Sequence, residues 1–329
     1  MFQAFGGKKK MKVLLIRMSS MGDLVHTLPA ITDLARHRPD LSLHWLCESS
    51  FADIARLHPF VHKVHELSWR KWRKQLWKKE NREHLKNLAQ LLENEHFDLV
   101  VDSQSLLKSA FFAKMAKAPI YGLNKDCARE PLAAWFYDRH FQVDKHENVV
   151  LRTRQLFARI FDYDVQGQAD FGVNVPLSGS IDKLPEHYYV ACHATSRDSK
   201  LWSEKNWIDL FTRTHQKDGF PVLLPWGNDV EYARAQRIAS ALPNAQVCPK
   251  LNLLQAAYLM YHARAVIGVD TGFLHLANAV NPVVIGLYTD TNPARTGIQE
   301  TNTSINLGGI GQNPSVDEVY ATLMRFLEI

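Results

Sequence analysis

The stretch KVLLIRMSSMGDL, residues 12–24, decides the fold of the N-terminal half. Its apolar run Val13–Ile16 predicts a buried strand, and the periodic apolar residues from Leu24 onward predict a helix. Ligands of open α/β sheets bind beyond the carboxyl ends of the strands, so Asp23 lies at a candidate site. We expect Gly22 to permit a sharp turn there. Asp23 either caps the helix that starts at Leu24 or takes part in proton chemistry, and both interpretations stay open on this stretch alone.

Outward from this stretch, strands alternate with helices in two successive series, which predicts parallel sheets covered by helices. The chain has 329 residues, enough for two domains. A stretch at about 163–183, rich in Gly, Asp, Gln and Ser, separates the two series. The predicted organisation is an N-terminal domain at 1–165 with 1–10 as an extension, a linker at 166–185, a second domain at 186–312 and a C-terminal helix within 313–329. Ser315-Val316-Asp317-Glu318 is typical of a capped helix start.

Composition excludes several classes of protein. Hydrophobic residues make up 46% of the chain and charged residues 22%, as in ordinary globular proteins. There is no apolar run near the ~18 residues that a membrane span needs, and the N-terminus lacks the apolar core of a signal peptide, so we expect a cytoplasmic protein. The four cysteines form no CxxC pair, which argues against a zinc site and a disulfide framework.

Residues 69–79 combine cationic and aromatic side chains. The stretch carries Arg70, Lys71, Arg73, Lys74, Lys78 and Lys79 together with Trp69, Trp72 and Trp77. It is either a solvated helix face or a surface that attracts an anionic partner. The tryptophans favour the second interpretation, because a solvated face does not need large amphipathic rings.

Three loops of the second domain follow predicted strands and suit an anionic, nucleotide-like ligand. The first loop is HATSRDSK, 193–200, whose Thr195, Ser196 and Lys200 are candidate donors to phosphate oxygens. In the second loop, PWGNDVE at 225–231, Glu231 either binds a ribose or complements the helix dipole.

The third loop carries the strongest signal. Asp270, Thr271 and Gly272 form a tight junction between a strand and a helix, and His275 lies in the first helical turn. Small residues at such a junction let pyrophosphate approach the helix N-terminus. A core histidine and an Asp cap are the competing interpretations. The residues alone therefore predict a two-domain protein with a nucleotide-like ligand, without naming it.

Seven segments of the chain are informative when taken together: KVLLIRMSSMGDLVHTLPAITDLA, WRKWRK, DSQSLLKSA, AREPLAAWFYDR, HATSRDSKLW, PWG and VDTGFLHLA. In order and at family-like spacing, they resemble the heptosyltransferases of glycosyltransferase family 9, the ADP-heptose-dependent enzymes of lipopolysaccharide inner-core synthesis. The resemblance implies a GT-B fold, in which two Rossmann-like domains with parallel sheets face each other across a cleft. It also implies that the last helix returns to the N-terminal domain.

The same resemblance implies a role for each matching residue. Asp23 would be the general base, on the N-terminal side of the cleft and facing Lys200, and inversion would result. Lys200 would neutralise the leaving diphosphate. The donor site would comprise Thr195, Ser196, Lys200, Glu231, Asp270, Thr271, Gly272 and His275. The acceptor would meet Arg70, Lys71, Lys74 and Arg129.

The expected reaction moves L-glycero-D-manno-heptose from ADP-heptose to the inner Kdo of Kdo-lipid A. No D-x-D triplet lies in the three donor loops, so we expect no metal and no cofactor. We further expect a monomer that associates peripherally with the cytoplasmic face of the inner membrane and does not bind nucleic acid. A family member that uses another ADP-sugar or another core acceptor, of the heptosyltransferase II type, is the alternative. A dinucleotide-dependent oxidoreductase is disfavoured because SSMGD replaces G-x-G-x-x-G after the first strand.

Overall fold

A computed structural model describes residues 10–177, 181 and 183–328. The 1–10 extension lies outside this range, except for Lys10. Within it the chain forms two compact units, 10–19 with 27–172 and 20–26 with 173–328. The division after Gly172 falls inside the predicted linker. The short segment 20–26, which holds Asp23, groups with the second unit although its neighbours in sequence belong to the first.

The first unit contains a six-stranded parallel sheet in the order β3-β2-β1-β4-β5-β6. Its strands are β1 Lys12–Ile16, β2 Ser42–Glu48, β3 Val61–Leu67, β4 Leu99–Asp102, β5 Ile120–Leu123 and β6 Arg139–Phe141. The central strands β1 and β4 are almost wholly buried, as expected of apolar runs covered on both faces. This is the strand order of dinucleotide-binding folds, and it reverses direction between β1 and β4.

Helices connect these strands. They are α2 Leu28–His37, α3 Ala52–Arg56, α4 Trp69–Trp72, α5 Lys79–Asn94, α6 Leu107–Lys114 and α7 Val149–Phe161, with a 3₁₀ turn at Pro131–Phe136. Helix α7 packs on α2, where Arg154 and Asp33 form a buried ion pair.

The second unit repeats the pattern with β12-β11-β10-β7-β8-β9, again all parallel. Its strands are β7 Tyr189–Cys192, β8 Val222–Leu224, β9 Ala245–Val247, β10 Ala265–Val269, β11 Val284–Tyr288 and β12 Ser304–Gly308. Numbered within this unit, the order is the same as that of the first sheet. Strand order here reverses between β7 and β10.

The helices of the second unit include one from the N-terminal half of the chain. They are α1 Met21–Val25, α8 Glu204–Asp218, α9 Asp229–Ser240, α10 Leu253–Tyr261, α11 Gly272–Val280, α12 Pro293–Thr296 and α13 Val316–Leu327. Among the described residues, we find no helix with both the length and the apolar composition needed to cross a bilayer.

Helix α13 packs on α8, and its Val319, Leu323 and Phe326 join the apolar core of the second unit. The predicted N-cap is confirmed, since Ser315 Oγ accepts a hydrogen bond from the Glu318 N–H at 3.1 Å. The expectation that the helix returns to the N-terminal domain stays a prediction. The three side chains recur every three or four residues, so one face of the helix is already occupied by this core.

Several elements differ from the sequence predictions. The periodic apolar residues from Leu24 onward predict a single helix over 24–37, but the structure divides it into α1 and α2, because Pro29 has no N–H to donate to the carbonyl of Val25. The alternation of strands and helices also predicts a helix at 129–138, where the structure has a 3₁₀ turn followed by β6. The short strands β6 and β12 and the short helix α12 were not predicted.

Candidate functional site

The loops after β7 and β10 meet where the strand order of the second sheet reverses. This is the position at which ligands bind in open α/β sheets. The hydroxyl of Thr195, after β7, donates to the carbonyl oxygen of Asp270, after β10, at 2.8 Å. Through this hydrogen bond, Thr195 connects the two loops, and its hydroxyl proton is already donated to a carbonyl.

Lys200 and Asp270 form an ion pair at this junction. The Lys200 ammonium lies 2.6 Å from Asp270 Oδ2, and the two side chains are 14% and 9% exposed. Thr291, after β11, donates to the same oxygen at 2.8 Å. Burial alone would raise the pKa of Asp270, but hydrogen bonds from His275 and Lys200 outweigh burial and hold this pKa well below its ordinary value. Asp270 is therefore a carboxylate that fixes the Lys200 cation in place.

His275 extends this network toward α1. Its Nε2 lies 3.5 Å from Asp270 Oδ1, and its Nδ1 lies 3.1 Å from Nε2 of His26. Helix α1 contacts α11 closely, since a Cβ at Gly22 would lie only 2.9 Å from Cδ2 of His275. The predicted sharp turn at Gly22 is wrong, because the residue lies within α1. Its missing side chain instead lets the His275 ring approach.

Asp23 occupies the third position of α1. The helix begins at Met21 rather than Leu24, with Ser20 as its N-cap, so the interpretation of Asp23 as the N-cap of a helix that starts at Leu24 is wrong. Asp23 Oδ2 accepts hydrogen bonds from the Ser20 N–H at 2.9 Å and from Ser20 Oγ at 3.1 Å. The half-buried carboxylate thus closes a capping box.

Glu231 and Ser196 do not join this network through any described hydrogen bond or ion pair. Glu231 stays within its own loop, where Oε2 accepts from the Gly227 N–H at 2.7 Å and Oε1 accepts from Asn228 Nδ2 at 2.8 Å. A carboxylate has about four acceptor sites, so this arrangement leaves capacity for ribose hydroxyls. Ser196 is exposed.

The basic candidates of the first unit are exposed side chains. They are Arg70, Lys71, Lys74 and Arg129. The guanidinium of Arg70 lies over the Phe51 ring at 5.0 Å, and its backbone N–H donates to Glu48 Oε1 at 3.1 Å.

Lys108 joins this basic surface, although the sequence analysis did not single it out. Partial burial lowers its pKa below the ordinary value of lysine, and nearby guanidinium groups lower it further. These groups belong to Arg70, Arg73 and Arg129. Cations that perturb one another in this way form a local positive field suited to phosphate or carboxylate.

The tryptophans of 69–79 are mostly structural. Trp69 and Trp72 pack against the core of the first unit, where the Trp69 ring meets Phe112 edge-on at 5.4 Å. Trp77 alone of the three is strongly exposed, at 72%. Their presence in the sequence is therefore explained largely by packing.

Sequence reasoning also missed Gln104, His26 and Thr291. Gln104 follows β4 and bridges the loop after β1, accepting from the Met18 N–H at 2.7 Å and donating to the Ser19 carbonyl at 3.2 Å. Each of the three lies just beyond a strand end or in the turn after Asp23. Position after a strand was thus the available signal for Gln104 and Thr291.

The first unit contains a group of potential metal ligands. His44, His65 and Glu95 of the first unit bring their ligand atoms within 4.8 Å of one another. Lys12 and Lys63 both form ion pairs with Glu95, so a divalent cation would be repelled there.

The D-x-D triplet of the chain, at 162–164, lies at the C-terminus of α7 in the first unit and outside the three donor loops. Its Asp162 is the C-cap of that helix and has a left-handed backbone conformation with φ 59°.

Comparison with known proteins places these observations in a family. The family model for glycosyltransferase family 9 (heptosyltransferase) matches residues 85–322. Lipopolysaccharide heptosyltransferase 1 of Pseudomonas aeruginosa is 41% identical over 289 residues, covering 87% of this chain and 81% of the relative.

Solved structures of heptosyltransferases are similar to this chain over almost its whole length. The Escherichia coli heptosyltransferase WaaC with ADP has a TM-score of 0.86 and 33% identity, covering 97% of this chain and 99% of that one. The same enzyme with ADP-2-deoxy-2-fluoro heptose gives 0.83 at the same identity and coverage. This likeness confirms the predicted α/β, GT-B-like fold class and the assignment as a glycosyltransferase. The chain belongs to glycosyltransferase family 9, the heptosyltransferases.

Proposed function

We propose that the protein transfers L-glycero-D-manno-heptose from ADP-heptose to the inner Kdo of Kdo-lipid A, with inversion and without a metal. The observation that carries this proposal is the junction of Thr195, Lys200 and Asp270 where strand order reverses, in a chain whose relatives are named heptosyltransferases. A related structure holds an ADP-heptose analogue. The reaction would occur at the cytoplasmic face of the inner membrane, where the enzyme would act as a peripheral monomer.

In the proposed mechanism Asp23 removes the proton from a Kdo hydroxyl. The hydroxyl oxygen forms a bond to the anomeric carbon of the heptose as the bond from that carbon to the ADP oxygen breaks. The bonding electrons leave on the diphosphate. Because a sugar hydroxyl is far less acidic than a carboxyl group, proton transfer is late and concerted with attack.

Lys200 stabilises the charge that develops on the diphosphate. Its ammonium carries three N–H donors, and the pair with Asp270 uses one of them. The remaining donors can bind phosphate oxygens, in a cation whose position the carboxylate has already fixed. Glu231 binds the nucleoside, while Thr271, Gly272 and His275 surround the heptose and diphosphate. Ser196 is a further donor at the edge of this site.

The acceptor binds the first unit through Arg70, Lys71, Lys74 and Arg129. Phosphate and carboxylate groups of Kdo-lipid A are anionic, and the two arginines offer bidentate hydrogen bonds to them. Lys108 adds a cation whose pKa already reflects its guanidinium neighbours.

Product analysis tests the proposal directly. The protein is incubated with ADP-heptose and Kdo-lipid A in the presence of a chelator, and mass spectrometry should show the addition of one heptose. ADP-glucose and GDP-mannose, offered in place of ADP-heptose, should give little product. Equal transfer from another ADP-sugar, or transfer only to another core acceptor, would favour the alternative family activity.

Lys200 provides a matched pair of variants. Lys200→Gln should lower turnover by about 100-fold or more, because one preorganised transition-state donor contributes that much. Lys205→Gln changes an exposed lysine of α8 and should retain turnover. Equal turnover in the two variants would remove Lys200 from the mechanism.

A further inference from the structure

Exposed apolar side chains gather on one part of the first unit. Leu107 and Phe111 lie four residues apart on α6, hence on one helix face, and are 41% and 49% exposed. In the 3₁₀ turn Pro131–Phe136, Leu132 and Trp135 lie three residues apart, hence on one side, and are 48% and 80% exposed. Phe136 adds a further 39% exposed ring. We refer to these five residues as the apolar patch.

The two parts of the patch are held together. Helix α6 packs on the 3₁₀ turn. The Leu107 N–H donates to Glu130 Oε2 at 2.6 Å, and the Glu130 N–H donates to the Ser105 carbonyl at 3.0 Å. Ala133 and Ala134 are buried, so the turn presents its large side chains outward and its small ones inward. The exposure is therefore a property of a fixed surface.

Cations border the apolar patch. Lys108 and Lys114 lie on α6 beside the patch residues, and Arg129 immediately precedes the turn. The three cations outnumber the two nearby acids, Glu130 and Asp138, which accept hydrogen bonds from the Leu107 N–H and from the Ile120 N–H at 2.8 Å. An apolar surface with a basic border is complementary to a bilayer that has negatively charged headgroups.

We propose that the apolar patch docks the protein on an anionic lipid bilayer, with Trp135 and Leu132 entering the headgroup region. Tryptophan suits this depth because its ring is apolar and its N–H remains hydrogen-bonded to water or headgroups. The basic border adds attraction that falls with ionic strength. The inference rests on the proposed function only in taking the acceptor to be a lipid. Segment 69–79 is less suited to this contact, since Trp69 and Trp72 pack against the core of the unit.

Vesicle sedimentation without any Kdo-lipid A tests the proposal. The protein should bind vesicles of phosphatidylcholine mixed with phosphatidylglycerol more than vesicles of phosphatidylcholine alone, and less at high salt. The double substitution Leu132→Ser with Trp135→Ser should lower binding to the anionic vesicles by roughly tenfold or more. Both side chains are exposed, so the variant should fold, which circular dichroism verifies.

Two controls carry the same kind of change elsewhere. Val230→Ser alters a residue of the second unit that is 80% exposed, and Trp77→Ser alters the exposed ring of segment 69–79. Both should bind vesicles like the unchanged protein. Loss of binding in Trp77→Ser with none in the double variant would overturn the proposal. So would a protein that ignores vesicles and instead forms dimers that the double variant abolishes.

Activity separates this proposal from the proposed function. On a deacylated, soluble Kdo acceptor, the double variant should turn over like the unchanged protein. On acceptor embedded in anionic vesicles it should be slower. If the unchanged protein transfers no heptose in either assay, the proposed function fails, while the vesicle-binding result still decides the docking surface. If the double variant matched the rate of the unchanged protein on both acceptors, docking through the apolar patch would be contradicted.

Discussion

Asp23 can be tested as a helix-capping residue and as a base with two substitutions that affect these roles differently. Its Oδ2 accepts two hydrogen bonds from Ser20, at 2.9 and 3.1 Å. In Asp23→Asn the amide oxygen can still accept both bonds, but an amide cannot take a proton at neutral pH. Asp23→Ala removes the acceptor as well as the base. The two variants should therefore differ in stability and agree in turnover.

The expected magnitudes are well separated. Losing the capping interaction should lower the free energy of unfolding by about 1 kcal/mol in Asp23→Ala, whereas Asp23→Asn should stay within about 0.5 kcal/mol of the unchanged protein. Loss of a general base should lower turnover by about 100- to 10,000-fold in both variants. That corresponds to about 3–5 kcal/mol of activation free energy. A capping defect of about 1 kcal/mol cannot account for such a loss in a folded protein.

The assay measures turnover with saturating ADP-heptose and Kdo-lipid A, and ADP binding by calorimetry. ADP affinity should persist in both variants, because the carboxylate acts on the acceptor. Asp53→Asn is the matched control, since Asp53 is also a half-buried acid in the first turn of a short helix, α3. Near-normal turnover in Asp23→Asn would refute the base assignment and leave only the capping role.

Three further predictions concern stability. Gly22→Ala should lower the thermal midpoint and turnover together, because its Cβ would lie 2.9 Å from the His275 ring; an unchanged midpoint would contradict this contact. Burial lowers the pKa of His58 to about 4, so the unfolded chain binds a proton first as the pH falls below about 6.5. Stability should therefore decrease between pH 7 and pH 5, with His58 contributing about 2 kcal/mol, and urea denaturation of His58→Gln should show a shallower pH dependence. Asp33→Ala should lower the free energy of unfolding by about 3–5 kcal/mol, because it leaves the buried Arg154 guanidinium without its carboxylate. Replacing both residues by apolar ones should restore part of this free energy in the same denaturation assay.

The two sheets could be predicted because their central strands are continuous apolar runs, such as Val13–Ile16. Helices with a strong 3.6-residue period were also predictable, as in α8, where Trp207, Leu210, Phe211 and Thr214 recur on one buried face. The edge strands β6 and β12 were not predicted: β6 has only three residues and no apolar run, and the alternation of Ile305 and Leu307 in β12 is too short to identify a strand. Pro29 was the visible signal for the break between α1 and α2.

The contacts at the candidate site depend on strand order, which no local pattern contains. Thr195, Lys200 and Asp270 could each be predicted from its position after a strand. Their meeting required β7 and β10 to be neighbours although two strands, β8 and β9, intervene in sequence. Thr291 was missed for the same reason: β11 lies beside β10, and only that adjacency brings the loop after β11 to Asp270.

In both sheets, one polar side chain connects two loops at the point where the strand order reverses. In the first, the Gln104 side chain joins the loops after β1 and β4; in the second, the Thr195 hydroxyl joins the loops after β7 and β10. The loops that follow two neighbouring parallel strands lie side by side. One polar side chain can then hydrogen-bond backbone groups that lie beyond the end of strand pairing. Asp23 follows the first of these junctions, yet its helix packs on α11, which begins at the second. The segment after β1 therefore carries the chain out of the first unit, so a carboxylate that follows a strand of the first sheet belongs structurally to the second unit.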